Sequence, residues 1–180
     1  MKSIVQVGDR VLRNVAHEVP VMEIRSSRVQ DILRQMKETL DAEPDGAALA
    51  APQIGISLRI FILATKVFGA ESRHEAASKN PHLVFINPTI IKRSSKKQLM
   101  DEGCLSVRGK YGTITRSTNA TIEAYDENGV KFTRGAGGLM AQAFQHECDH
   151  FDGVLFFDTA KEVWDVEHQP KDAKGAKDNK

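Results

Sequence analysis

No stretch of this 180-residue chain approaches the roughly eighteen consecutive apolar residues that a membrane-crossing helix needs. Nor does the opening MKSIVQVGDRVLRNV hold the unbroken apolar centre of a secretory signal, so a cytoplasmic protein with no membrane partner is expected. Charge of one sign is equally lacking. With 25 Lys and Arg against 24 Asp and Glu, nothing global draws the chain toward nucleic acid or an anionic surface, and specific DNA binding is not expected. Cys104 and Cys148 are too few for a disulfide framework in such a chain, so at least one thiol is free for other chemistry. No internal repeat is visible, and the length fits one domain with a core of useful size.

What is present reads as antiparallel strands with two helices, an α+β pattern. In SRVQDILRQMKETL, Val29, Ile32, Leu33, Met36 and Leu40 recur at helical spacing behind a Ser26 or Ser27 cap, which predicts a helix over 27–40. After the turn-rich AEPDGAALAAPQIG, the short apolar LRIFILA (58–64) predicts a buried strand, and HLVFINP predicts another that ends at Pro88. Residues 65–81 between them are polar and aperiodic, which predicts a long surface loop. ATIEAYDENGVKFTR predicts a β-hairpin: Ile122, Ala124 and Tyr125 mark one strand, and Asn128-Gly129 is expected to supply the positive φ angles of a tight turn. A second helix over about 138–150 carries two stripes and is expected to be mostly buried. Leu139, Ala143, His146 and His150 form one, and Met140, Phe144, Cys148 and Phe151 the other. The closing HQPKDAKGAKDNK cannot bury enough apolar area to order a long segment. A single domain over 1–165 and a polar, disordered tail over 166–180 are therefore expected.

The second helix carries the chemistry. Four residues turn a helix by ~400°, so His146 and His150 of QHECDH lie only ~40° apart and one turn apart in height. Their rings can share one ion. Glu147 sits ~100° around from His146, where a carboxylate can approach a water without taking a coordination place. A base beside a water acidified by a metal is the equipment of a hydrolase. Many histidines in polar clusters simply face solvent, but these two share a stripe with Leu139 and Ala143, where unligated imidazoles would need other hydrogen-bond partners.

Catalytic sites of this type use three protein ligands. Downstream, KEVWDVEH looks like a terminal tail, and HFDGVLFFD lacks the further histidine of one protease pattern. Upstream, DEGCLSVRG places Cys104 in a turn-prone segment, and a thiolate binds transition metals well. A lone cysteine is more commonly an inert buried residue. Joined to the two histidines, Cys104 is the better candidate for third ligand.

Three stretches in chain order, GAALAAPQ (46–53), EGCLS (102–106) and QHECDH (145–150), resemble the peptide deformylase patterns GxGxAAxQ, EGCLS and QHExDH. A looser similarity runs from DRVLRNVA to DGVLFFD, nearly everything except the tail. One position departs: Ala48 stands at the second glycine of the first pattern, where a Cβ can obstruct a backbone conformation or a close ligand. Activity is expected to survive with an altered substrate fit.

The resemblance implies antiparallel strands wrapped around a central metal-binding helix. It also implies a catalytic domain that removes the N-formyl group from the initiator methionine of new polypeptides, releasing formate. One divalent ion would be held by Cys104, His146 and His150, characteristically Fe2+, with Zn2+, Ni2+ or Co2+ able to occupy the site. Glu147 would serve as acid and base, while the Gln53 side chain and the Leu105 backbone N–H would hold the oxyanion. Gly46, Ala47 and Gly103 would line a peptide groove with backbone groups. Leu139, Ala143 and part of Gln142 would form the methionine pocket, although Gln142 reads equally as a partly exposed helix residue. Glu102 would be structural with Arg116 as a possible partner, although the two read equally as solvated charges, and Cys148 would be core. A monomer is expected, acting on formyl-methionyl nascent peptides. A transient ribosome contact through Lys171, Lys174, Lys177 and Lys180 of the tail is a further expectation, though such charge runs are commonly idle. Two other readings stay open: a small metalloprotease, which gives Cys104 and Gln53 no role, and a silent relative that binds nascent chains, for which Ala48 is the sole support.

Overall fold

Helix α1 (Ser27–Asp41) forms where its apolar spacing predicts. Ser26 caps it, its Oγ accepting from the Val29 N–H at 3.3 Å, and Val29, Ile32, Leu33, Met36 and Leu40 are buried. The computed structural model describes residues 2–68 and 81–166. The tail expected over 166–180 lies outside the described residues apart from Val166, as does most of the loop expected over 65–81. The start of that loop forms a short helix, α2 (Thr65–Phe68), with Phe68 buried.

Strands of the described residues form two antiparallel sheets. In chain order they are β1 (Ala48–Ala50), β2 (Ile60–Ala64), β3 (His82–Arg93), β4 (Lys97–Gly103), β5 (Lys110–Ser117), β6 (Asn119–Tyr125), β7 (Lys131–Gly137) and β8 (Glu162–Asp165). The larger sheet runs β1-β2-β3-β6-β7 and the smaller β4-β5-β8. β2 is buried at every position because both of its faces are covered. Its two-residue period sends Ile60, Ile62 and Ala64 into a core with Val29, Leu33 and Met36 of α1. Phe61 and Leu63 point the other way, into a core shared with helix α3 (Gly138–Phe151). There Phe61 stacks on Phe85 with ring centres 4.4 Å apart, and Phe144 packs against both at 6.3 and 5.3 Å. Helix α3 also touches β1, β3, β5, β6 and β7, so the strands surround it. The fold is α+β, as expected. No helix among the described residues is long and apolar enough to cross a membrane.

Two expectations need correction. β3 does not stop at Pro88 but continues to Arg93, because its register with β6 shifts between Ile86 and Thr89 and so absorbs a residue that lacks an N–H. Asn87, at φ 51°, makes the kink, and its side chain holds the Val19 N–H at 2.8 Å and donates to the Val19 carbonyl at 2.7 Å. In the β6–β7 turn only Gly129 has positive φ, at 80°; Asn128 does not. The Asp126 carboxylate accepts from the Asn128 and Val130 N–H groups at 2.9 and 2.8 Å, which stabilises a longer, side-chain-bridged loop instead of a two-residue turn.

Phe144 is fully buried where the α3 core meets β2 and β3. Truncating it to alanine removes a large ring and leaves a cavity, which costs about 3–5 kcal/mol. Urea unfolding of Phe144→Ala is predicted to show that loss; a change below about 1 kcal/mol would mean that the helix is not locked to the sheet at this ring.

Candidate metal centre

The three stretches of chemical interest converge at one cleft of about 490 Å³. Two come from β-structure and its turns, the third from α3. Cys104 follows the last residue of β4, in a turn closed by the Val107 N–H donating to the Cys104 carbonyl at 2.9 Å. His146 and His150, one helical turn apart, face it with ring centres 5.0 Å apart and planes nearly perpendicular. Cys104 Sγ lies 3.4 Å from His150 Nε2, and one ligand atom from each of Cys104, His146 and His150 lies within 4.8 Å of the others.

A buried carboxylate sets the orientation of His146. Its Nδ1 lies 2.9 Å from Glu102 Oε2, which leaves Nε2 for a ligand. Glu102 is gripped from the other side by Arg116 of β5, whose Nε and Nη2 donate to Oε1 and Oε2 at 2.7 and 2.9 Å. Arg116 Nη1 also reaches Asp149 of α3 at 2.6 Å, and Gln142 Nε2 donates to the Asp101 carbonyl at 2.9 Å and to Glu102 Oε1 at 3.3 Å. Burial alone would raise the Glu102 carboxyl, but the hydrogen bonds from His146 and Arg116 outweigh it and hold the pKa at about 2. Glu102 is therefore an anion at any ordinary pH.

Glu147 behaves oppositely. It is 3% exposed, and its Oε2 is buried without a hydrogen-bond partner. Burial pushes its pKa up to about 7, with His146 opposing and Glu102 and Asp149 adding to the rise. A carboxyl so poised can take and return a proton near neutrality. Burial and the nearby His146 hold His150 well below the usual imidazole range, so it stays neutral with a lone pair to give. Burial likewise pushes the Cys148 thiol up to about 12, and Cys148 sits in the apolar core on the other stripe.

The remaining candidates fall into place around this group. Gln53 lies in a 3-10 helix, Ala51–Ile54, and is 2% exposed. Its Oε1 accepts from the Ala50 N–H at 2.8 Å and its Nε2 points to Cys104 Sγ at 3.4 Å. Pro52 in the first turn of that helix forfeits a donor that has no partner there anyway. Leu105, Ala47, Gly103, Leu139, Gln142 and Ala143 all line the cleft. Gly46 does not. It is buried just behind the lip, where an added Cβ would come within 2.8 Å of Leu40 and 3.2 Å of the Glu43 carbonyl. Ala48 lies on the cleft wall in β1 and is not among the residues with positive φ, so its side chain imposes no left-handed strain.

Sequence reasoning missed several residues here. Asp149, within QHECDH itself, escaped notice as the second partner of Arg116. Gln145 clamps Ser117 of β5, accepting from its N–H at 3.1 Å and donating to its carbonyl at 3.0 Å. The N-terminal strap is less readable still. The Val5 N–H donates to the Gln53 carbonyl at 2.9 Å, the Val7 N–H to the Ser106 carbonyl at 2.8 Å, and Gln6 Nε2 to the Leu105 carbonyl at 3.0 Å. Nothing in VQV announces those contacts.

The donor set fits a late divalent metal. One cysteine sulfur and two imidazoles converge, one ring is already oriented by a carboxylate, and the Glu147 carboxyl stands beside them without taking part in the cluster. Fold and site together define an α+β protein with a candidate metal centre at the meeting of a helix and a strand turn. Residues 1–165 match the family described as polypeptide deformylase, and the chain belongs to that family. It is 40% identical over 164 residues to "Peptide deformylase 1A, chloroplastic/mitochondrial" of Arabidopsis thaliana, covering 88% of this chain and 61% of the relative. To "Peptide deformylase 2" of Clostridium acetobutylicum it is 36% identical over 154 residues, covering 86% of this chain and 91% of the relative. The chain spans only 61% and 59% of the Arabidopsis and Solanum lycopersicum relatives it matches. Among solved structures, the Synechococcus elongatus peptide deformylase in complex with actinonin aligns with a TM-score of 0.75 at 34% identity, over 89% of this chain and 79% of that one. A Met-Ala-Ser-bound class I type b peptide deformylase from Acinetobacter baumannii aligns with a TM-score of 0.76 at 30% identity, over 88% and 98%.

The low pKa of Glu102 has a consequence for stability. A carboxyl at about 2 in the folded protein and near 4.5 otherwise stabilises the fold fully above 4.5 and loses that contribution as pH falls toward 2. The amount is about 3 kcal/mol. The stability difference between the parent and Glu102→Gln, from urea unfolding, is predicted to be full at pH 6 and to shrink by roughly that much at low pH. A difference independent of pH would contradict the pairing of Glu102 with Arg116 and His146.

Proposed function

We propose that this chain hydrolyses the formamide of N-formyl-methionyl peptides, releasing formate and a free amine. The observation that carries the reading is the convergence of Cys104, His146 and His150 beside the buried Glu147, whose Oε2 has no hydrogen-bond partner. Cys104, His146 and His150 would hold a divalent ion, which when bound supplies Lewis acidity toward a water and the formyl oxygen. Fe2+ is the ion proposed; Zn2+, Ni2+ and Co2+ suit the same donors, and availability decides among them.

Glu147 takes a proton from the attacking water as the new C–O bond forms at the formyl carbon. It then returns that proton to the departing nitrogen as the C–N bond breaks, so the side chain ends as it began. A carboxyl with a pKa near 7 suits both halves of that exchange. The Gln53 amide and the Leu105 N–H are the proposed donors to the oxyanion; Gln53 is supported by its fixed Oε1, which leaves Nε2 aimed at the centre. Ala47 and Gly103, both lining the cleft, offer backbone to an extended peptide, with Gly46 packed against Leu40 and Glu43 next to Ala47. Leu139, Ala143 and the aliphatic part of Gln142 are proposed to receive the methionine side chain. The Met-Ala-Ser bound to the Acinetobacter baumannii relative supports a peptide of this kind. The proposal includes a monomer working in the cytoplasm on new chains at the ribosome, although the Arabidopsis relative bears a chloroplast and mitochondrial name.

Anaerobically prepared Glu147→Gln is predicted to keep its metal and to release formate from formyl-Met-Ala-Ser about 10²–10⁴-fold more slowly, with KM little changed. Turnover at the parent rate would remove Glu147 from the chemistry. A fully metal-loaded parent that releases no formate would remove the reading itself.

A further inference from the structure

Outside the cleft, the segment KRSSKK joining β3 to β4 sets Lys92, Arg93, Lys96 and Lys97 within six residues, all exposed and with no acid among them. The excess is local, since the whole chain carries a formal charge of only +1. Among the described residues none of the four has an ion-pair partner, whereas Lys131 on the same larger sheet is held by Glu123 at 2.8 Å. Lysines on an edge strand commonly guard against stray pairing, and β4 is such an edge. That accounts for Lys97 but not for Lys92 and Arg93, which belong to β3 in the interior of the larger sheet.

The turn that carries these cations is rigidly built. Ser94 donates its N–H to the Asn119 carbonyl at 3.0 Å and its Oγ to the Lys96 carbonyl at 2.8 Å. The Asn119 N–H donates back to Ser94 Oγ at 3.1 Å, the Thr118 N–H to the Lys96 carbonyl at 3.0 Å, and Ser117 Oγ to the Ser94 carbonyl at 3.0 Å. A partner docking here would not have to order the backbone first. Beside the turn runs a shallow groove along β3, β6 and β7, lined by Lys92, Ser94, Asn119, Thr121, Gly135 and Gly137 among others. Its walls offer an ammonium, hydroxyls, a carboxamide and exposed glycine backbone, with no carboxylate to repel an anion.

We propose that this face docks the sugar-phosphate backbone of RNA. Four exposed cations close together in sequence, with Lys92 lining a donor-rich groove, suit phosphodiesters, and the lack of aromatic residues in the groove points to binding independent of base sequence. Ile91 and Leu99, each 54% exposed, flank the run singly and do not make the continuous apolar rim that a membrane surface would take up. The choice of RNA rests on the proposed function in one respect: a nascent formyl-methionyl chain is presented by an RNA-rich particle.

The test uses the full, metal-loaded chain and a fluorescein-labelled oligouridylate of about twenty nucleotides, read by anisotropy. Four phosphate contacts to a single strand give a slope of about −3 in log K against log salt, hence about 50-fold weaker binding at 200 mM than at 50 mM. The variant Lys92→Gln/Arg93→Gln/Lys96→Gln/Lys97→Gln is expected to bind at least about 30-fold more weakly at 50 mM, with a slope near zero. Its melting temperature and its formate release from formyl-Met-Ala-Ser should match the parent. Should the fourfold variant fail to fold, Lys96→Gln/Lys97→Gln is expected to halve the slope. Parent protein that ignores RNA at 50 mM salt, variants that bind it equally well, or a parent that prefers phosphatidylserine vesicles to RNA would each overturn the proposal. Loss of formate release in every form, with the RNA difference intact, would sink the functional reading and leave the docking surface standing.

Discussion

The carboxylate of Glu102 is the constraint on which the rest of this structure depends. It is buried, ionised, and shared between the guanidinium of Arg116 and the imidazole of His146. A charge removed from water is tolerable only when it is paired and hydrogen-bonded, and here the partners come from two other elements. Glu102 belongs to β4, Arg116 to β5, and His146, Gln142 and Asp149 to α3. Removing any one partner would strand a buried charge, so the smaller sheet and the helix can meet in one register only. That register turns His146 Nε2 toward the cleft and brings Cys104, two residues after Glu102, opposite His150.

The helix serves two environments at once. Met140, Phe144, Cys148 and Phe151 fasten it to the phenylalanine core beneath β2 and β3, and the face a third of a turn away carries His146, Glu147 and His150. Rigid packing on one side supplies the precision needed on the other, since a ligand displaced by even an ångström forfeits much of its effect. The environments also divide two chemically similar carboxyls. Glu102, hydrogen-bonded to cations, is held at about 2, while Glu147, buried without a partner on Oε2, is pushed to about 7. One is thereby a fixed anion that orients a ring, and the other a carboxyl able to exchange a proton near neutrality.

Much of this was readable from residue order. The helical period of Val29, Ile32, Leu33, Met36 and Leu40 and the two stripes of α3 are local signals, strong enough to place both helices within a residue of their observed ends. The spacing of His146, Glu147 and His150 is local as well, which is why the candidate site was legible before any fold was known. What escaped depends on pairing across long sequence separations. β4 reads as polar because one face of KQLMDEG meets solvent, and β3 passes Pro88 only because a bulge opposite β6 excuses the missing N–H. The grip of Arg116 on Asp149, and the strap through Val5, Gln6 and Val7, join residues whose identities give no hint of each other. Gly46 illustrates a subtler limit: its motif position pointed to the cleft, but the space it preserves is against Leu40 and Glu43.

The central claim is that one sulfur and two imidazoles of this chain close on a single ion. X-ray absorption on stoichiometrically zinc-loaded protein tests it most directly. The account predicts one sulfur at ~2.3 Å and two imidazole nitrogens at ~2.0–2.1 Å, with the sulfur lost in Cys104→Ser and kept in Cys148→Ser. A shell of nitrogen and oxygen alone in the parent, or a sulfur that survives the loss of Cys104, would contradict it.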